Sequence, residues 1–341
     1  MKQVLTFFNN KGGVGKTTLV YHIAHMLSLM GVGVLVVDCD PQANLSAAFL
    51  KDEEIQKIWD DTENIRTIYR AVKPMIRKGD YSEPQLELIT QNLYLIVGDL
   101  GLSSFEDQLS EQWSKANDDN PNTYGRAFDV LTAFWRCSQD AAEKCNADII
   151  IFDIGPNLGA INRSVLLGTD NIIVPLGADL FSLRGLQNIG PALREWKKSW
   201  ENRSAKSFDD YLLPKGKMDV LGYVAMQHQE RLSRPVLAYK NWVDRIPSDY
   251  RKYIKNDDTE DNIPKIEEDP YALALLRHYK SIIPIAQEAR KPIFSLKTAD
   301  GVSGSQMATI RAAYQDFHAL AIKILTQSNL SHLCPNLQNP F

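Results

Sequence analysis

The sequence predicts an α/β fold, a mostly parallel twisted sheet flanked by helices, with helical insertions. Three observations predict it. Continuous apolar, β-branched runs recur along the chain, the pattern of strands covered on both faces. The first two runs are joined by one segment of helical period, giving strand, helix and strand in succession. Each run stops at a polar or glycine-rich turn, where open parallel sheets place their ligand sites.

Taken in order, residues 4–8 (VLTFF) are β-branched and aromatic and read as a buried strand. A glycine-rich turn covers 10–15. Residues 17–30 read as a helix, with Val20, Ile23, Ala24 and Leu27 on one face, stopped by Gly31 and Gly33. Residues 34–37 (VLVV) are a second strand, running into Asp38, Cys39, Asp40, Pro41 and Gln42. Further strands are expected at 93–97, at 149–152 ending on Asp153, at 171–174 ending on Pro175, and at 220–226. We read residues 1–330 as one domain with charged, mainly helical insertions near 51–92, 98–147 and 235–275. A polar stretch at 199–217 is grouped with them, and 331–341 is a C-terminal tail.

Composition narrows the class. The chain has 341 residues, 44% hydrophobic and 23% charged, the mix of a folded globular protein. No run approaches the roughly 18 apolar residues of a membrane span. The first ten residues are too short and polar for a secretory leader. Cys39, Cys137, Cys145 and Cys334 are irregularly spaced, with no CxxC pair, so a cytoplasmic, reduced protein is expected. The net charge of -4 gives no global attraction to nucleic acid, although a local basic patch is compatible with it.

The chemistry concentrates at residues 12–18 (GGVGKTT), between a strand and a helix. Glycines let successive backbone N–H groups face phosphate oxygens, and the helix N-terminus adds its positive end. Lys16 is placed to reach β- and γ-phosphates and the Thr17 hydroxyl to ligate Mg²⁺. The match to the G-x-x-x-x-G-K-[ST] form is partial, because Asn10 stands where its first glycine falls. Asp38 and Asp40 end one strand and Asp153 ends another. A single Asp there is usually a cap or turn residue, but three beside a phosphate loop point to a cation and an attacking water.

Residues 11–18 (KGGVGKTT) resemble the deviant Walker A motif of the ParA/MinD family of ATPases. Residues 38–44 (DCDPQAN) resemble that family's D-x-D-P-Q motif, and 149–156 (IIIFDIGP) its Walker B segment, with Ile154 and Gly155 in place of the commoner Thr-Pro. Weaker likeness lies at Val174 to Leu176, Phe181, Gly185, Leu186, Gly222 to Val224 and 288–293. The resemblance implies a P-loop ATPase fold using ATP and Mg²⁺. It implies that Gly12, Gly13, Val14, Gly15 and Thr18 hold phosphates with Lys16. It makes Thr17 and Asp153 the Mg²⁺ residues, Asp153 through water, and gives Asp40 the attacking water. Lys11 would reach across a homodimer interface to the partner's ATP. Met226, Gln227 and Pro292 are candidates for the base pocket, and Arg231 and Arg234 for DNA contact.

The expected function is an ATP-dependent dimer that partitions or positions plasmid or chromosomal DNA by nonspecific DNA binding, with hydrolysis stimulated by a partner protein. A nucleoid association would follow from that role. The first alternative is the same ATPase positioning a protein complex, or serving a plasmid or defence module, without DNA. The second is a metabolic relative of the same fold. A membrane-bound role is disfavoured, because Pro335 and Pro340 oppose an amphipathic helix in the tail.

Overall fold

The structure is a computed structural model that describes residues 1–77, 79–207, 212–227, 241–258, 263–277, 279 and 282–334. Among these residues the sheet has eight strands, in the order β3-β4-β2-β5-β1-β6-β7-β8. All neighbours are parallel except β3 and β4.

The chain begins with β1 (Gln3–Phe7), α1 (Lys16–Leu29) and β2 (Val34–Asp38), the unit expected from the sequence. Short helices α2 (Asn44–Phe49), α3 (Asp52–Asp60) and α4 (Ile68–Val72) follow, then an antiparallel hairpin of β3 (Glu87–Thr90) and β4 (Leu93–Ile96). Next come α5 (Glu106–Lys115), α6 (Pro121–Leu131) and α7 (Ala133–Lys144), leading into the central strand β5 (Ile149–Asp153). Then α8 (Ala160–Leu167), β6 (Asn171–Gly177), α9 (Leu180–Ser204) and β7 (Asp219–Gln227) extend the sheet on its other side. After α10 (Ile246–Tyr250), β8 (Ala272–Arg277) forms the far edge, and α11 (Ile282–Ala289) and α12 (Met307–Gln327) pack on the face that carries α1.

The pleat sends alternate residues to opposite faces, and here both faces are buried. Leu35, Val37, Ile150 and Phe152 join one core, with α4 to α9. Val34, Val36, Ile149 and Ile151 join the other, with α1, α11 and α12. That explains why these strands read as unbroken apolar runs. Among the described residues no helix is long and apolar enough to cross a membrane.

Three expectations change. Pro175 does not end its strand: β6 continues to Gly177. The Pro175 carbonyl accepts from Asn9 Nδ2 at 2.6 Å, so the proline's missing N–H lies on the β1 side, beyond the point where β1 has ended. The polar stretch from Ser199 begins inside a helix, because α9 carries on to Ser204. Finally, β3 and β8 lie within or across stretches read as helical or polar insertions.

The β8 edge is fastened by a buried cluster. Arg251 and Asp269 form a two-pronged pair at 3.0 and 2.9 Å, with side chains 4% and 0% exposed. The Tyr223 hydroxyl on β7 donates to the same carboxylate at 2.7 Å, and the Tyr271 N–H donates at 3.1 Å. Removing one partner of a buried ion pair is costly because the other charge has already lost its water. We therefore expect Asp269→Asn to lower unfolding free energy by about 3 kcal/mol or more, read from urea denaturation followed by tyrosine and tryptophan fluorescence.

Candidate phosphate and cation site

The site is assembled at the C-terminal ends of β1, β2 and β5. Gly13 (φ 74°) and Gly15 (φ 84°) take left-handed conformations that side chains resist. Gly15 caps α1, and among the described residues no side chain caps this helix. Its first N–H groups are therefore available to an anion. Lys16 starts α1 and is only 7% exposed. Burial lowers its pKa, while the charges of Asp153 and Asp40 pull it back up.

β2 and β5 are in register so that Asp38 stands opposite Asp153. Both are fully buried, and burial pushes both carboxyls well above the usual carboxylate range; the charge of Asp38 raises Asp153 further, and that of Asp40 raises Asp38. Asp38 differs from the expectation of a residue facing the phosphates. Its Oδ2 accepts from Ser46 N–H and Oγ–H at 2.8 and 2.7 Å, and its Oδ1 from Asp40 N–H at 3.3 Å. It braces the D-x-D-P-Q turn from beneath. Asp40 is 7% exposed, and its Oδ1 accepts from Gln42 N–H at 3.0 Å.

Thr17 Oγ1 donates to Asp153 Oδ2 at 2.7 Å. Asp153 Oδ1 is buried without a hydrogen-bond partner. An orphaned carboxyl oxygen beside a hydroxyl, on a residue whose charge burial resists, fits a site that a divalent cation would complete. Among the described residues no three His, Cys, Asp or Glu side chains form a metal cluster.

Lys11 lies outside this cluster. Its ammonium binds Asp179 Oδ2 at 2.6 Å and Ser182 Oγ at 3.4 Å, over the exposed ring of Phe181. Asp179 meanwhile caps α9 through Oδ1, accepting from Phe181 and Ser182 N–H. Of the base-pocket candidates, Met226 is placed at the loop. The Met226 methyl sits 3.1 Å from where a Cβ on Gly15 would be. Pro292 is buried beside Ile293, and Gln227 is the last residue of β7. Arg231, Arg234 and the tail from Pro335 lie outside the described residues.

Several contributors were invisible in the sequence. Asn162 Nδ2 donates to the carbonyls of Gly155 and Asn157 at 2.7 and 2.8 Å, holding the loop after Asp153. The Glu106 carboxylate accepts from Ala160 and Ile161 N–H at the start of α8. His22, one turn after Thr18, bonds the Thr18 carbonyl through Nδ1 at 2.7 Å, while its Nε2 accepts from Ile293 N–H at 3.2 Å. That pattern fixes a neutral ring protonated at Nδ1, and it ties the Pro292 segment to α1.

With this geometry in place, comparison identifies the family. A family model for an AAA domain, AAA_31, matches residues 2–206. The chain belongs to that family, as a ParA/MinD-like P-loop ATPase relative. It is 26% identical over 188 residues to the chromosome-partitioning ATPase Soj of Treponema pallidum, covering 54% of this chain and 61% of Soj. The structure of protein DIP2308 from Corynebacterium diphtheriae is 23% identical with a TM-score of 0.65, covering 95% of this chain and 98% of that one. An ATP complex of McdA from Cyanothece is 17% identical with a TM-score of 0.56, covering 92% and 96%. These two structures share the fold. The chain spans about half the length of several curated relatives that it matches.

The His22 geometry yields a pH test. Burial holds its pKa down to about 4, against about 6.5 unfolded. A lowered histidine pKa favours the folded state above the unfolded value and costs stability as pH falls from about 6.5 towards 4. The buried aspartates act in the opposite direction, so the difference between parent and variant is the useful quantity. We expect the destabilisation caused by His22→Phe to be smaller at pH 5 than at pH 7.5, by about 2 kcal/mol, in urea melts at the two pH values.

Proposed function

We propose that this chain is a Mg²⁺-dependent ATPase that dimerises with ATP and partitions or positions a DNA cargo through nonspecific DNA binding. The single observation that carries the ATPase reading is Thr17 bonded to Asp153, whose other oxygen is buried and unpartnered, directly beneath an uncapped helix N-terminus. The relatives' partition and ATP-bound names support the wider role.

On this reading the N–H groups of residues 12–18 bind the phosphates, and Lys16 neutralises β- and γ-oxygens. Thr17 and Asp153 hold Mg²⁺, Asp153 through water. When bound, the ion offsets phosphate charge that grows during transfer. Asp40 directs the attacking water. The loop from Ile154 packs between Asp40 and the phosphate loop, since Cβ positions at Gly155 and Gly12 would lie 3.5 Å from Asp40 Oδ1 and 3.9 Å from Pro156 Cγ. Lys11 exchanges Asp179 for the phosphates of a second subunit. Its pair is about one-third exposed on each side, and pairs of that kind are weak enough to trade.

DNA binding is tested by the ATPase rate with and without duplex DNA at two salt concentrations. Stimulation that falls with salt supports a DNA cargo. A rate indifferent to DNA turns the reading towards a protein cargo.

Two variants test the site. Lys16→Ala should weaken ATP binding by on the order of 100-fold, measured with a fluorescent ATP analogue. Parental affinity in the folded variant would falsify the phosphate-loop assignment. Asp40→Ala should keep ATP affinity but lose hydrolysis by on the order of 100-fold or more, and accumulate as an ATP-bound dimer by light scattering. Hydrolysis at the parental rate would remove Asp40 from the reaction.

A further inference from the structure

Residues after Asp153 run through Ile154, Gly155, Pro156, Asn157, Leu158 and Gly159 into α8. This loop borders both Asp40 and Gly12, so its position sets the space beside the attacking group. Besides the bond from Gly159 N–H to Asn157 Oδ1 at 2.8 Å within the loop, two side chains outside it hold the loop or the helix it enters. The first is Asn162, 1% exposed, which reaches back to the carbonyls of Gly155 and Asn157. The second is Glu106, the first residue of α5, more than fifty positions earlier in the chain.

Glu106 spreads its two oxygens over the α8 N-terminus, one accepting from Ala160 N–H and the other from Ile161 N–H, the latter at 2.9 Å. Gly159, at the N-cap, makes no side-chain cap of its own. A negative group placed there satisfies two otherwise unpaired donors and sits at the positive end of the helix. The same two helices meet again further along. The Arg163 guanidinium of α8 lies 4.3 Å from the Trp113 ring of α5, and Arg203 of α9 stacks at 4.1 Å. α5 is therefore joined to α8 at two points, one electrostatic and one by stacking.

We propose that Glu106 is a positioning residue for hydrolysis: from α5 it holds the start of α8, and through Asn162 it holds the loop beside Asp40. The role rests on the hydrolase reading above. Glu106 bonds the α8 backbone and is not one of the residues assigned to the phosphates, so its loss displaces the loop without removing an assigned ligand contact.

Steady-state ATP hydrolysis by the full chain gives the first readout. Glu106→Ala lowers kcat by on the order of tenfold, as small misplacements of reacting groups do, while KM for ATP stays within about twofold of the parent. Glu106→Gln keeps one carbonyl acceptor and recovers part of the rate. Gly159→Ala puts a methyl against both the Glu106 carboxylate and Asn157 Oδ1 and lowers kcat as well. Amide hydrogen exchange gives the second readout: residues 154–161 exchange faster in Glu106→Ala, and β1 and α1 do not. A folded Glu106→Ala with parental kcat, or with parental exchange across 154–161, overturns the proposal. So does a loss in which KM rises in step with the fall in kcat, or one that Glu106→Gln fails to relieve. A parent that does not hydrolyse ATP removes the hydrolase reading instead, and the exchange comparison still decides what Glu106 holds.

Discussion

Asp38 and Asp153 stand opposite each other on adjacent central strands, both fully buried, and buried carboxyls must be compensated or stay protonated. The surrounding architecture is the compensation. Ser46 is folded back under Asp38 by α2, Thr17 is aimed at Asp153 by α1, and Lys16 is buried beside both Asp153 and Asp40. None of these groups could be moved alone. The two strands hold the acids in register, the glycine turn sets the entry of α1, and that entry fixes where the hydroxyl and the ammonium point. The oxygen left over, Asp153 Oδ1, is buried without a partner, and a cation bound there would complete the balance.

The central strands and the phosphate loop were legible because their causes are local or uniform. Burial on both faces leaves an unbroken apolar run, as at Ile149 to Phe152, and phosphate binding needs glycines, Lys16 and Thr17 in immediate succession. The edges were not legible. β3 alternates half-buried and exposed residues over four positions, and β8 is built from Ala and Leu, which suit a helix as well as a strand. The supporting side chains were hidden for another reason. His22 meets Ile293, and Glu106 meets Ala160, only after the sheet has brought distant segments together. Nothing near any of these residues in the chain announces the partner.

Asp38 shows how a correct location can carry a different role. The sequence places two acids one residue apart at a strand end, and both could face the ligand. Alternation alone would put both on one face, but β2 ends at Asp38, so Asp40 lies in the turn beside Lys16 while Asp38 is held by Ser46. The buried member holds the turn through Ser46 and the Asp40 N–H. The turn then presents the outer member.

Pro175 acts as a stop in strand registration. β1 pairs with β6 from Leu5 to Phe7, and Phe8 adds one more bond to Ile173. Two residues further along β6 the proline offers no donor, and its carbonyl is already held by Asn9. A slip of β1 towards that end would set a backbone acceptor against a site that cannot donate, so the ladder cannot lengthen in that direction. The height at which the chain leaves β1 and turns into the glycine loop is thus set from the neighbouring strand, by the one amino acid that lacks the hydrogen needed to let it climb.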